Sequence, residues 1–291
     1  MATPKIVSVL KWPKFKRKKD SATNRLPTSR GNSSSWFCSD DSTLLEAGSD
    51  TTASEMVGFI QAMACFPEVQ RKAQAEIERV VGPDRLPTMA DEPQLPYIRA
   101  MIKETLRWMP TTITGAVPHA TSKDDEYNGY FIPKGAGVML NVWAIHMDEK
   151  RHPNPREFRP ERYEGDNQTA ADSAANPDPS KRDQFTFGSG RRICQGMHVA
   201  ERSLFLGMSR MLWGFNITPK VRNGKQVPIN PDQLTQGFVC MPDTFECDIK
   251  PRDAKRTKLI REDWQKSKKE YVDPATEQLK DEITLEDMPF A

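Results

Sequence analysis

The residue types most able to do chemistry surround one cysteine in a glycine-rich loop. The loop fits the pattern FxxGxRxCxG at Phe187, Gly190, Arg192, Cys194 and Gly196. Cysteine binds metals as the thiolate, and glycines give the backbone the space and freedom to approach a bulky ligand closely. A lone intracellular cysteine is more often a buried, inert thiol. Within this loop, however, the pattern favours a single thiolate that Cys194 presents to a metal.

A second group of reactive side chains lies in a segment with helix-forming sequence. The run Ala47-Gly48-Ser49-Asp50-Thr51-Thr52 places an acid and an alcohol directly after a glycine. A glycine in mid-helix costs about 1 kcal/mol relative to alanine, so Gly48 indicates the close approach of a flat ligand or a small molecule. Asp50 and Thr51 are residues that can pass protons. The alternative is that Thr51 bonds to a helix carbonyl and Asp50 is merely exposed.

These motifs resemble those of the cytochrome P450 family of haem-thiolate monooxygenases, and they follow the family's order. Nearby sequence, such as Gly129-Tyr130-Phe131-Ile132-Pro133-Lys134-Gly135, is similar to fungal members that act in secondary metabolism. The resemblance spans about Thr43 to Pro251. It implies a mainly α fold with small β-sheets (α+β), of which this chain contains the C-terminal half without the N-terminal helices.

The resemblance also implies a cofactor, haem b (iron protoporphyrin IX), and the residues around it. Cys194 is the expected axial ligand. The other residues expected to bind the cofactor are Phe187, Gly190, Arg192, Gly196 and His119. Arg192 is expected to pair with a haem propionate. His119, in the run Val117-Pro118-His119, matches a second propionate contact, although an ordinary packed or exposed histidine is an equally good interpretation.

The segment around Gly48 is similar to the family's oxygen-activation segment. The resemblance implies that Ala47 and Gly48 open a groove over the haem. It also implies that Asp50 and Thr51 relay protons during oxygen activation, which requires a positioned and protonatable chain.

A third motif joins an acid and two arginines. Glu104 and Arg107 are three residues apart on one predicted helix, a spacing that is common on surfaces and contributes little there. The segment Phe158-Arg159-Pro160-Glu161-Arg162 resembles the family's PERF segment. That resemblance implies that Arg162 joins the pair in a structural network behind the cysteine loop, where removal of one member leaves an uncompensated charge.

The expected activity is insertion of one atom of O2 into an apolar small-molecule substrate. The family's electrons come from NADPH through a flavoprotein reductase, which is therefore the expected partner. Full-length relatives are expected at the cytosolic face of the endoplasmic reticulum membrane. This chain lacks a transmembrane anchor by sequence, so we expect it in the cytosol, and we expect the truncated chain to bind haem weakly and to be inactive. The alternative is a non-catalytic remnant or an interaction protein.

Charge and cysteine spacing indicate which partners and which compartment the chain is suited to. The net charge of the 291 residues is +2, so bulk charge indicates no partner. The five cysteines form no CxxC pattern, which is typical of a reducing compartment. Nine basic residues against one acid precede residue 31, with a basic run at residues 11–19. This composition favours a solvated tail, and no nucleic-acid partner is expected.

The sequence predicts three regions. These are a disordered basic leader at residues 1–38, the truncated haem domain at 39–251 and a charged C-terminal tail at 252–291. Within the domain, helices are predicted from Thr43 to Phe66, from Pro67 to Gly82 and from Met197 to Trp213. A further helix is predicted to follow Pro96 and to end at Pro110. Asn128-Gly129 predicts a hairpin. Gly165 to Gln184 is predicted to be a surface insertion, and weak strands are predicted at residues 238–241 and 245–249.

Overall fold

The computed structural model describes residues 34–276 and residue 280, with side chains from residue 47. Contacts divide the chain into two units, residues 1–42 and 43–291. The helices are α1 (Ser34–Cys65), α2 (Pro67–Val80), α3 (Pro96–Trp108), α4 (Val142–His146), α5 (Ala170–Ala175), α6 (Met197–Gly214) and α7 (Ala254–Tyr271). The strands are β1 (His119–Ala120), β2 (Asp125–Tyr127), β3 (Tyr130–Ile132), β4 (Gly137–Val138), β5 (Phe215–Pro219), β6 (Val221–Arg222), β7 (Lys225–Gln226) and β8 (Cys247–Pro251). The prediction of a mainly α fold with small β-sheets is confirmed.

The core forms where α2, α3 and α6 pack together. Proline at the first position starts both α2 and α3, because the missing N–H is unpaired there anyway. Every residue of α3 from Ala100 to Trp108 is buried, as expected for a helix enclosed on all sides. Gly58 of α1 lets Met109 approach, since a Cβ at this position would lie 2.8 Å from Cγ of Met109. The fold thus encloses α3, and the cysteine loop is built on the end of this helix.

The strands form four two-stranded antiparallel sheets, β1–β4, β2–β3, β5–β8 and β6–β7. The predicted hairpin is confirmed, because Asn128 (φ 50°) and Gly129 (φ 80°) join β2 to β3. Both residues are in the left-handed region that a type I′ turn requires. Asn223 (φ 50°) and Gly224 (φ 76°) join β6 to β7 in the same way. This second turn carries the same Asn-Gly signal, although no hairpin was predicted there.

The segment from Gly165 to Gln184, predicted to be a surface insertion, is partly buried. Its helix α5 buries three alanines, and Gln184 is also fully buried. The carboxylate of Glu201 on α6 accepts hydrogen bonds from the N–H groups of Ala170 (2.6 Å) and Ala171 (3.2 Å). Small side chains therefore let α5 dock against α6, where the polar composition predicted a loop.

The charged segment after residue 251 is also more than a tail. Asp253 caps α7 by accepting a hydrogen bond from the N–H of Arg256 at 2.8 Å. Arg256 is buried and pairs with Glu78 of α2, while Ile260 packs close to Gly214. The prediction of a tail is wrong for residues 254–271 because an N-cap and one buried arginine anchor an otherwise polar helix.

Two further features differ from the predictions. The helix α1 begins at Ser34 rather than Thr43, so residues 34–38 of the expected disordered leader are helical. The rest of that leader, including the basic run, lies outside the described residues. Residues 238–241 form no strand, because the N–H of Cys240 donates to the carbonyl of Thr111 at 2.7 Å instead of to a neighbouring strand. Within the described part of the chain, no helix is long and apolar enough to cross a membrane.

Candidate functional site

A cavity of about 580 Å³ lies between α1, the end of α3, the cysteine loop and the start of α6. This volume is within the range of small-molecule and cofactor sites. Its lining residues are Ala47, Asp50, Thr51, Thr52, Glu55, Leu106, Thr111, Thr112, Gly115, Ala116, Thr186, Phe187, Gly188, Arg192, Cys194, Ala200, Leu204, Phe238 and Val239. Both chemical motifs of the sequence, about 140 residues apart, therefore meet at one cavity.

Six of the predicted site residues line this cavity. They are Ala47, Asp50, Thr51, Phe187, Arg192 and Cys194. The structure does not bring Gly48, Gly190, Gly196 or His119 to the cavity wall. His119 is exposed on β1, and an added Cβ at Gly48 would meet no atom within 4 Å. Nothing in the structure explains why residue 48 is a glycine.

The cysteine loop presents its thiol to the cavity through backbone geometry. The N–H of Cys194 donates to the carbonyl of Phe187 at 2.9 Å and closes the loop. Gly188 (φ 80°) and Gly190 (φ 73°) hold left-handed conformations that other residues rarely adopt. The Cys194 residue is exposed, and α6 begins three residues later, so the positive end of its dipole lies near the sulfur. The sulfur is therefore open to a metal on the cavity side of the loop.

The donor set around Cys194 is sparse. No group of three or more His, Cys, Asp or Glu side chains that could hold a metal occurs in the described residues. A metal at this position must take most of its ligands from a group that is not protein. The side chain of Arg192 has no hydrogen-bond or ion-pair partner within the part of the chain that the structure describes. Its guanidinium is therefore available to pair with an anionic group.

The acid and the alcohol of α1 are both at the cavity but are not bonded to each other. The hydroxyl of Thr51 donates to the carbonyl of Ala47 at 2.7 Å, and Asp50 is exposed. This bonding matches the alternative to a proton relay, in which Thr51 bonds to a helix carbonyl and Asp50 is exposed. The hydroxyl oxygen of Thr51 keeps its acceptor lone pairs, so it can still bind a donor in the cavity.

The carboxylate of Glu104 is at the centre of the predicted network, and the structure brings its three members together. Arg107 donates to it twice, from Nε to Oε2 and from Nη2 to Oε1, each at 2.7 Å. Arg162 Nε lies 3.2 Å from Oε1, and the N–H of Arg159 donates to the same oxygen at 2.8 Å. Glu104 and Arg107 are fully buried. A buried charge with this many partners cannot lose one without a large cost.

A buried histidine links this network to the cysteine loop. Nη1 of Arg107 donates to the carbonyl of His146 at 3.1 Å, and Nδ1 of His146 lies 3.1 Å from the carbonyl of Arg107. Nε2 of His146 accepts a hydrogen bond from the N–H of Phe185 at 2.8 Å. Burial, and to a lesser extent Arg107, lower the pKa of His146 to about 3. The ring is therefore neutral, and this bonding assigns its proton to Nδ1. No local pattern in the sequence singles out this residue.

Two threonines tie the loop directly to the end of α3. The hydroxyl of Thr186 donates to the carbonyl of Leu106 at 2.7 Å, and the hydroxyl of Thr112 donates to the carbonyl of Thr186 at 3.0 Å. The base of the cysteine loop is therefore fixed at two points near the end of α3. Hydroxyl side chains of this kind are common in loops, so sequence reasoning had no signal for them.

Glu55 is the charged residue of the cavity that sequence reasoning missed. It lies one helical turn after Thr51, so the two side chains share a face of α1. Only 3% of Glu55 is exposed. Its Oε1 accepts the N–H of Thr111 at 3.3 Å, while Oε2 has no partner within the described residues. Burial raises the pKa of Glu55 well above its usual range, against a smaller lowering by Thr111.

Comparison with known proteins identifies the family. The family model for cytochrome P450 matches residues 42–248. The cytochrome P450 monooxygenase virE of Hypocrea virens is 53% identical over 237 residues, which cover 81% of this chain and 43% of that protein. The monooxygenase fsoB of Humicola fuscoatra is 53% identical over 225 residues, which cover 77% of this chain and 41% of that protein.

A solved structure has the same fold. The zebra fish cytochrome P450 solved with progesterone is 30% identical, with a TM-score of 0.59 over 71% of this chain and 43% of that one. The present chain thus spans less than half the length of the curated relatives it matches. Because the family match covers most of its residues, the chain belongs to the cytochrome P450 family.

Proposed function

We propose that this protein serves as a haem-thiolate monooxygenase of fungal secondary metabolism, with Cys194 as the axial ligand of the haem iron. The observation that carries the proposal is one cavity lined by an exposed cysteine, an arginine whose guanidinium is available to an anion, and an acid and alcohol from α1. When bound, haem supplies the iron centre for oxygen chemistry, and thiolate ligation favours cleavage of the O–O bond.

The residues of the cavity fit this cofactor. A single thiol, without a competing cluster of ligands in the described residues, suits a metal already held by a macrocycle. Arg192 can pair with a propionate. Apolar side chains on several sides, including Phe187, Ala200 and Leu204, can pack against a flat ring.

The remaining polar residues are assigned to protons and to the scaffold. Asp50 is exposed, so it can exchange protons with solvent and pass them toward Thr51. Thr51 must release Ala47 before it donates a proton into the cavity. The Glu104–Arg107–Arg162 network and His146 act as positioning residues, since they hold the base of the cysteine loop without lining the cavity. The family's reductase, carrying electrons from NADPH, is the proposed partner, and an apolar small molecule is the proposed substrate.

The test is a carbon-monoxide difference spectrum of the purified chain after reconstitution with haem. We expect the red-shifted Soret band of thiolate ligation, with a low amplitude because the sequence predicts weak haem binding. Cys194→Ala should abolish this band. Cys247→Ala should keep it, since Cys247 is a half-buried thiol of β8 that does not line the cavity.

Two outcomes would contradict the proposal. Equal bands from the two cysteine variants would exclude Cys194 as the ligand. Failure of the unaltered chain to take up haem would favour the second candidate, a non-catalytic remnant that acts as an interaction protein.

A further inference from the structure

The cavity contains a buried acid that has no role in the haem-thiolate mechanism. Glu55 is almost fully buried, yet Oε2 has no hydrogen-bond partner in the described part of the chain. Among the described residues, the polar group that acts on it is Thr111, which carries no charge. Buried carboxyl groups are normally paired, because an unpaired one loses its hydration without compensation. Glu55 therefore destabilises the free protein, and an exception of this kind calls for an explanation from binding.

Glu55 is part of the cavity wall. Its side chain lines the cavity together with Thr51, one turn earlier on the same face of α1. The N–H of Thr111 holds Oε1 at 3.3 Å and fixes the carboxyl group at one point. Because Oε1 is already an acceptor there, Oε2 is the oxygen left to bond with a ligand. Oε2 is itself buried without a ligand, so the contact requires a rotation of the carboxyl group toward the cavity.

The chemistry of the group limits the ligand. Burial favours the protonated form of Glu55. A neutral carboxylic acid is an O–H donor, so its complement is an acceptor, such as a carbonyl or hydroxyl oxygen. Around it, Leu106 and Leu204 supply apolar surface. The complementary molecule is thus mostly apolar, with one carbonyl or hydroxyl oxygen.

We propose that Glu55 is a substrate-binding residue, which donates a hydrogen bond from its carboxylic acid to a carbonyl or hydroxyl oxygen of an otherwise apolar substrate. The inference rests on the proposed function and specifies its substrate class. No bond is made or broken in this contact. Its effect is to select oxygen-bearing molecules over plain hydrocarbons and to fix their orientation.

The experiment compares two probes that differ by one oxygen, the three-ring ketone fluorenone and its parent hydrocarbon fluorene. The haem-loaded full chain is titrated with each probe by calorimetry, and the carbonyl stretch of bound fluorenone is recorded by infrared spectroscopy. The variants are Glu55→Leu, which removes the donor, and Glu55→Gln, which replaces it with an N–H donor. Ser54→Ala is the control, because the Ser54 hydroxyl bonds within α1 to the carbonyl of Asp50 at 2.8 Å.

We expect the unaltered chain to bind fluorenone about five- to tenfold more tightly than fluorene, the gain of one hydrogen bond. The carbonyl stretch should move to lower frequency. Glu55→Leu should abolish both effects, Glu55→Gln should retain part of them, and Ser54→Ala should leave them unchanged. The infrared shift in the unaltered chain and in Glu55→Gln keeps the test valid if Glu55→Leu does not fold.

Other outcomes overturn the inference. Equal preference for fluorenone in the unaltered chain and Glu55→Leu would exclude the contact. So would a Glu55→Leu variant that takes up less haem but keeps its fluorenone preference, because the acid would then serve the cofactor. The Soret band of the same samples separates these results from failure of the proposed function, which would leave the unaltered chain without a thiolate-type spectrum.

Discussion

Behind the cysteine loop, every polar group of the Glu104 network has partners, whereas at the cavity wall Arg192 and Oε2 of Glu55 have none in the described residues. Both regions contain arginine and acidic side chains. In the first, one carboxylate pairs with two guanidinium groups, and the network holds the backbone of the loop. In the second, the unpaired groups belong to residues that line a space large enough for a ligand. In these two regions, the satisfied polar groups belong to the scaffold and the unsatisfied ones to the cavity wall.

Breaking the Glu104 network should lower the free energy of unfolding more than the other changes. Glu104→Ala leaves two guanidinium groups without their carboxylate, and we expect the free energy of unfolding to fall by about 3 to 5 kcal/mol. Urea unfolding measures this change. Glu68→Ala is a matched control, because Glu68 also pairs with an arginine three residues later, Arg71, but on the surface. It should cost less than about 1 kcal/mol. Similar losses in both variants would show that burial of the network adds nothing.

The histidine of the scaffold should make stability depend on pH. Its pKa is lowered to about 3 in the folded protein, below the usual value of about 6.5 in the unfolded chain. Between these values the unfolded state binds the extra proton, so stability falls as pH falls. From pH 7 to pH 5 we expect His146 to contribute a loss of about 1 to 2 kcal/mol.

The measurement is urea unfolding of the unaltered chain and His146→Phe at both pH values. The variant should be less stable at pH 7, because Phe185 and Arg107 lose a hydrogen-bond partner, but it should lose less stability on acidification. His119→Phe, at an exposed histidine of β1, should keep the slope of the unaltered chain. Burial also lowers the pKa of His152, to about 4, so part of the slope should remain in the variant. A slope unchanged from that of the unaltered chain would contradict a buried neutral ring at His146.

Glu55→Leu should change the free energy of unfolding least among these variants, and it should raise it. Replacing a partly unsatisfied buried acid by an apolar side chain removes its desolvation cost, so we expect the unliganded protein to gain about 0.5 to 1 kcal/mol. Because the folded-state pKa of Glu55 is raised, the acid loses favourable free energy as pH rises above the unfolded value. The gain in the variant should therefore be larger at pH 7 than at pH 5. A loss of stability in thermal or urea unfolding would place Glu55 with the scaffold instead.

Local patterns predicted much of this fold. The prolines and apolar spacing of α2 and α3 indicated helices whose observed ends lie within a few residues, and Asn128-Gly129 indicated its hairpin. The cysteine loop and the Glu104–Arg107 spacing were also visible, because their chemistry depends on residues close in sequence. The helix α7 was missed since its docking depends on Arg256 reaching Glu78, 178 residues away in the chain.

The cavity was harder to predict because burial of polar side chains is decided by distant contacts. Nothing local distinguishes Glu55 from an exposed helical acid or His146 from an ordinary histidine. Their roles follow from Thr111 and Phe185, which are 56 and 39 residues away from them in the chain. The bonding of Thr51 to Ala47, in contrast, was one of two local alternatives, and only the folded geometry selects between them.

The reciprocal bonds between Arg107 and His146 have a consequence for local unfolding. They join residues 39 apart, so they close a long loop that contains the small strands β1 to β4, whose residues are mostly exposed. Closing such a loop costs entropy once, at its base, and that cost grows only slowly with loop length. The strands can therefore open without disturbing α3. Insertions and sequence changes between residues 120 and 138 should accordingly be tolerated, and this part of the chain is free to diversify while the cysteine loop stays fixed.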